Sequence, residues 1–133
     1  MLIGYGFTKK LNLPYEAVVE KVTEALKNEG FGILTEINVK EKFKEKLGVD
    51  FRKYLILGAC NPPNAHQAIV AEENIGLMLP CNVIVHEKGD RTILSVIRPT
   101  VAMQMIDNPA LRTIAETVER QLKRAFDAVN EQE

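Results

Sequence analysis

The chain has 133 residues and a formal net charge of −1, from 17 basic and 18 acidic side chains. This length predicts one domain over residues 1–133, and the hydrophobic content of 46% is typical of a soluble protein. The balanced charge argues against a general nucleic-acid binder, which presents a basic face. No apolar run approaches the ~20 residues that a membrane span needs, so we expect no membrane partner.

Cysteine content and the first residues bear on the compartment. Two cysteines are too few for a disulfide scaffold in a chain of this length. The first residues lack a basic segment followed by a long apolar stretch, so we expect no secretory signal. We therefore expect a reduced, cytoplasmic protein.

The first half of the chain predicts alternating strands and helices. Ile3–Lys10 alternates well enough for a first strand. Pro14–Glu29 follows with an apolar stripe at helical spacing, and Gly30 is expected to end this helix in the left-handed conformation. Phe31–Val39 predicts a second strand, and Lys40–Leu47 predicts a short, exposed amphipathic helix.

The second half predicts a strand, a weakly amphipathic helix, a β-hairpin and a long closing helix. The hairpin consists of two β-branched runs around a turn that contains Gly89. Asn108 is expected to cap the closing helix, and Pro109 to be its first residue. The other predicted ranges are Lys53–Cys60 (strand), Ala65–Glu73 (weak helix), Cys81–Glu87 and Arg91–Arg98 (hairpin), and Val101–Ile106 (one helical turn).

This order of elements predicts an α+β fold of two layers, with two long helices on one face of a mostly antiparallel sheet. Both hairpin strands carry apolar residues on both faces, as in Val83 and Val85 on one side and Ile84 on the other. A sheet with one face in water alternates more cleanly. We therefore expect a homodimer through the second face, or a small apolar ligand against it.

Three segments taken together resemble the domain of unknown function 302 family: Glu29–Ile37, Ala59–Pro62 and Leu79–Val85. The resemblance extends from about Thr8 to Arg98. It implies a strand, a helix, an antiparallel sheet and a closing helix, similar to the TATA-binding-protein-like class. It implies no activity and no catalytic residues. Folds of this shape host DNA-binding, lipid-binding and enzyme domains, so the fold does not select a function.

The candidate chemistry lies where the third strand ends and the fourth begins. Cys60 and Cys81 occupy these two positions, and His66 lies on the helix between them. If the two strands are antiparallel, the thiols are neighbours and His66 is within reach. Thiolate and imidazole bind zinc or copper, and they also form nucleophile and base pairs. Against this, the spacing matches no standard zinc motif, and cysteine is often buried as a small hydrophobic residue.

Asn61 and Asn82 each follow a cysteine and add polar groups at the same two junctions. An asparagine beside a proline often satisfies its own turn through side-chain to backbone bonds, and the alternative is a polar contact at a pocket mouth. We favour a homodimeric binding or interaction domain, since no complete catalytic set is visible. The first alternative is a thiol-based metal-binding or redox-sensing protein using Cys60 and Cys81, and the second is a cysteine-dependent enzyme at the same junction.

Overall fold

The computed structural model describes residues 3–131. Five strands and five α-helices follow one another along these residues, with β4 and β5 adjacent in the chain. The strands are β1 (Gly6–Leu11), β2 (Gly32–Asn38), β3 (Tyr54–Cys60), β4 (Cys81–Lys88) and β5 (Arg91–Ile97). The helices are α1 (Tyr15–Asn28), α2 (Val39–Leu47), α3 (Pro62–Ala71), α4 (Pro99–Ala102) and α5 (Pro109–Ala128), with a 3₁₀ helix over Glu73–Met78.

The strands form one antiparallel sheet in the order β1-β5-β4-β3-β2. The two long helices, α1 and α5, contact each other and pack on one face of this sheet. The predicted α+β fold with two layers is confirmed.

Two helix ends lie where the sequence predicts them, at the end of α1 and at the start of α5. Gly30 has φ +87°, which glycine adopts without strain, and the N–H of Phe31 donates to the carbonyl of Leu26 at 2.9 Å. At the start of α5 the side chain of Asn108 accepts from two backbone N–H groups, and Pro109 is the first helical residue.

The segment between β3 and β4 differs from its prediction. The helix expected at Ala65–Glu73 begins three residues earlier, at Pro62, because Asn61 caps it and prolines fit the first turn. It ends at Ala71, and the 3₁₀ helix begins two residues later, at Glu73. The helical turn expected at Val101–Ile106 occupies Pro99–Ala102 instead, again with a proline at its start.

Two separate groups of buried side chains hold the fold together. The main cluster joins the sheet to α1 and α5, and it includes Leu57, Val83, Val22 and Leu122. A second, smaller cluster lies beyond the end of the sheet. Its buried members are Ala68, Ile75 and Leu111, and its half-buried members are Met78, Leu79, Met103, Ile106 and Ile114.

The face of the sheet opposite α1 and α5, which we call the open face, is apolar in its centre. Ile37, Ile56 and Ile84 are register neighbours across three strands, and their side chains alternate with those of the main cluster. Ile56 and Ile84 are half-buried, whereas Ile37 is 44% exposed. None of the described helices is long and apolar enough to cross a membrane.

Candidate functional site

The antiparallel pairing of β3 with β4 brings both cysteines to the same end of the sheet, where β3 ends and β4 begins. Ala59 is the register partner of Cys81, so Cys60 lies one position away on the neighbouring strand. Both thiols are free. Cys81 is 8% exposed and belongs to the main cluster, whereas Cys60 is half-buried.

Both cysteines line a cavity of about 300 Å³ between this end of the sheet, α3 and α5. Four of its lining residues are alanines, and these short side chains leave the volume open. From the sheet come Ala59, Cys60 and Cys81; from α3 come Ala65, Ala68 and Ile69; from α5 come Leu111, Ile114, Ala115 and Val118. Leu34 of β2 and Asn64 of α3 also line it, and α4 and the connecting segments add Phe31, Asn61, Leu79, Pro80, Pro99 and Met103.

Local sequence explains why α3 covers the cavity. Asn61 directly follows β3 and is the N-cap of α3. Its side chain accepts a hydrogen bond from the N–H of Asn64 at 3.3 Å. The helix therefore starts directly at the end of the sheet. Ala68 is its one buried residue, so α3 encloses the space without filling it. Two side-chain contacts hold it in place: Asn64 Nδ2 donates to Gln121 Oε1, and Asn108 Nδ2 donates to the carbonyl of Ala71, both at 2.9 Å.

Glycine at position 30 makes room for the Asn61 amide. A Cβ at this position would lie 3.0 Å from Nδ2 of Asn61, closer than side chains normally pack. The same glycine ends α1 with a positive φ. Gly30 therefore both ends α1 and leaves room for Asn61, which lines the cavity.

The two thiols differ in their electrostatic surroundings. Burial, and secondly the nearby Cys60, raise the pKa of Cys81 to about 11. Its thiol is therefore protonated at neutral pH and behaves as an apolar group. Cys60 is the more accessible of the two. The cavity accordingly has one inert sulfur in its wall and one that solutes can reach.

A family model, the domain of unknown function DUF302, matches residues 7–129. The chain belongs to the DUF302 family. A solved structure, described as an uncharacterized conserved DUF302 protein from Bacillus stearothermophilus, is 32% identical to it with a TM-score of 0.87. The similarity covers 95% of this chain and 98% of that one. No curated protein matches the chain.

The other predicted site residues of this DUF302 chain, His66 and Asn82, do not line the cavity. His66 is exposed on α3 and does not line it. Asn82 is exposed on the open face, opposite Gly58. Between residues 3 and 131, no group of three His, Cys, Asp or Glu side chains could hold a metal ion. The structure therefore brings together Cys60, Cys81 and Asn61, and leaves the histidine outside.

Sequence reasoning missed the contribution of α5 to this site. Its Ile114, Ala115 and Val118 form part of a regular apolar stripe, which predicts core and nothing else. The sequence feature that indicates a cavity is the composition of α3. A helix with alanines and a weak apolar pattern buries few side chains and so leaves space beneath it. Asn64, in the first turn of α3, also lines the cavity.

Proposed function

We propose that this DUF302 chain is a binding domain for a small apolar molecule, which occupies the cavity between the end of the sheet, α3 and α5. The observation that carries the proposal is the lining, which consists of aliphatic, aromatic and sulfur-containing side chains apart from Asn61 and Asn64. Ligand sites are typically concave and apolar, with a few polar groups that fix orientation.

The size of the cavity limits the ligand. Its volume of about 300 Å³ lies at the lower end of the range for small-molecule sites, roughly 300 to 1,000 Å³. An apolar cavity of about 150 Å³ holds one benzene. A molecule of about twice that size, such as a medium-length alkyl chain, fits the space.

Calorimetric titration with 1-octanol tests the proposal by measuring the heat of binding. The melting temperature is a second readout, because a ligand that binds only the folded state raises it. The Ala115→Leu variant places a larger side chain in the cavity wall and is expected to abolish binding. Ala110→Leu makes the same change on the exposed side of α5 and is the matched control. Equal binding by both variants would contradict the cavity as the site.

The open face favours a second element of the proposal, a homodimer. The row formed by Ile37, Ile56 and Ile84 is apolar, and a two-fold interface requires one self-complementary patch. Ile84→Lys is expected to convert a dimer to a monomer in sedimentation velocity. Val70→Lys adds the same charge on the exposed surface of α3 and should not change the mass.

A thiol function at the same cavity is the competing proposal, since both cysteines line it. It predicts bound metal or a redox response that disappears in the Cys60→Ser/Cys81→Ser double variant. Mass spectrometry of the native protein, purified without oxygen or chelator, distinguishes the two. A mass excess of an organic molecule supports apolar ligand binding, whereas a metal mass lost in the double variant supports the thiol function.

A further inference from the structure

We propose that the ligand is uncharged and carries one polar group that hydrogen-bonds to Asn61 and Asn64. This inference rests on the proposed function and specifies the chemical class of the ligand. It comes from two independent features of the cavity: its charge and its unused amide atoms.

The described residues that line the cavity include no Lys, Arg, His, Asp or Glu. A carboxylate or an ammonium group inside it would lose its water without gaining a counter-charge. Burying an unpaired charge costs far more free energy than burying a neutral polar group. The lining therefore selects against fatty acids and amines, and for neutral molecules of the same length.

One amide atom of each asparagine makes no hydrogen bond to the described part of the protein. Asn61 accepts through Oδ1 from the N–H of Asn64 at 3.3 Å, and Asn64 donates through Nδ2 to Gln121 at 2.9 Å. These bonds fix the orientation of both amides. Among the described residues, Nδ2 of Asn61 and Oδ1 of Asn64 then have no protein partner.

A hydroxyl or a carboxamide on the ligand complements this pair, because each of these groups both donates and accepts. A carboxylate accepts only, so it would satisfy Asn61 and repel Oδ1 of Asn64. An ammonium group donates only and leaves Asn61 without an acceptor. The amide atoms of the two asparagines and the uncharged lining thus favour the same class of ligand, a neutral alcohol or amide with an apolar body.

Four probes of equal chain length test the inference: 1-octanol, octanamide, octanoate and octylammonium, titrated calorimetrically at pH 7. The two neutral probes are expected to bind at least about tenfold more tightly than the two ions. Octanoate binding as tightly as 1-octanol would overturn the inference while leaving the cavity as the site. If none of the four binds, the proposed function fails, and the inference fails with it.

A charge substitution provides the second test. Asn61→Asp keeps an N-cap acceptor, so α3 is expected to form. It also introduces a negative charge into the lining, and we expect octylammonium to become the tightest of the four probes. Asn82→Asp adds the same charge on the open face, outside the cavity, and should leave the order of affinities unchanged. An unchanged order in Asn61→Asp would contradict the placement of the polar group beside this residue.

Discussion

The carboxylate of Glu119 accepts a hydrogen bond from Nε of Arg98 at 3.0 Å. It also accepts from the N–H and the hydroxyl of Thr100, at 3.0 and 2.6 Å. Arg98 follows β5 and Glu119 lies on α5 directly after Val118, which lines the cavity. This largely buried pair therefore ties the end of the sheet to the helix that walls the cavity.

Glu119→Gln is expected to lower the free energy of unfolding by about 1 to 3 kcal/mol, because hydrogen bonds to a charged acceptor are lost and Arg98 keeps an uncompensated charge. Urea denaturation measures this loss. Glu116→Gln, an exposed site one turn earlier on α5, is the control and should change stability little. Equal effects at both sites would show that the pair contributes nothing.

Gly58→Ala is expected to destabilise the protein by about 1 to 3 kcal/mol through overpacking. A Cβ at this position would overlap the Thr35 hydroxyl and would lie 2.7 Å from Cγ of Pro80. Gly32→Ala, also in the sheet, is the matched control, because its Cβ would meet nothing within 4 Å. Thermal denaturation of both variants should separate them, and a neutral Gly58→Ala would contradict the close packing of Thr35 and Pro80 around this glycine.

Alkaline pH is expected to weaken the folded state through Cys81. Burial raises the pKa of this thiol from 9.0 to about 11, so the unfolded chain loses the proton first. The stability that this thiol contributes is complete below pH 9 and is lost as pH rises to 11, by about 2 to 3 kcal/mol. Cys81→Ala should remove this part of the pH dependence, measured as the difference between its denaturation curves and those of the wild type across that window.

Iodoacetamide at neutral pH is expected to modify Cys60 and to spare Cys81, because the second thiol is buried and its pKa is about 11. Peptide mass spectrometry after timed quenching reports both sites in one sample. Addition of 1-octanol should slow modification of Cys60 if the ligand fills the cavity. Equal modification of both cysteines in the folded protein would contradict the burial of Cys81.

His86 is expected to titrate below pH 6.5. Burial is the first cause of its lowered pKa, and the Arg52 guanidinium, whose Nε lies 3.5 Å from Nδ1 of His86, is the second. In Arg52→Gln the midpoint of an NMR titration should rise but stay below 6.5, because burial persists. Since the unfolded chain binds this proton more readily, stability contributed by neutral His86 falls as pH drops through 6.5. An unchanged midpoint in Arg52→Gln would exclude the guanidinium as a cause.

The fold was largely predictable because the ends of its helices and the turn of its hairpin are determined by local sequence. Gly30, Asn108 and Pro109 mark helix ends through backbone geometry that needs no tertiary information. The paired β-branched runs around Gly89 likewise define the hairpin. The family resemblance supplied the strand pairing, which periodicity alone does not determine.

The site was only partly predictable, because a cavity is the space left between elements that do not pack completely against each other. Cys60 and Cys81 could be placed together from antiparallel pairing. His66 could not be placed, since the weak apolar pattern of α3 leaves the rotation of that helix undetermined. Whether Ala115 contacts a neighbour or faces empty space depends on how far α3 stands from α5, and no sequence pattern records this distance.

Helix α3 contributes side chains to the cavity lining but none to the main cluster of buried residues. The main cluster contains none of the α3 residues that face the cavity, and the smaller cluster supplies Ala68 and Leu111 to its lining. Substitutions at well-separated sites act nearly independently on stability. New ligand preferences can therefore arise through changes in α3 while the sheet and its two long helices stay intact. In protein engineering, this segment is the place to diversify.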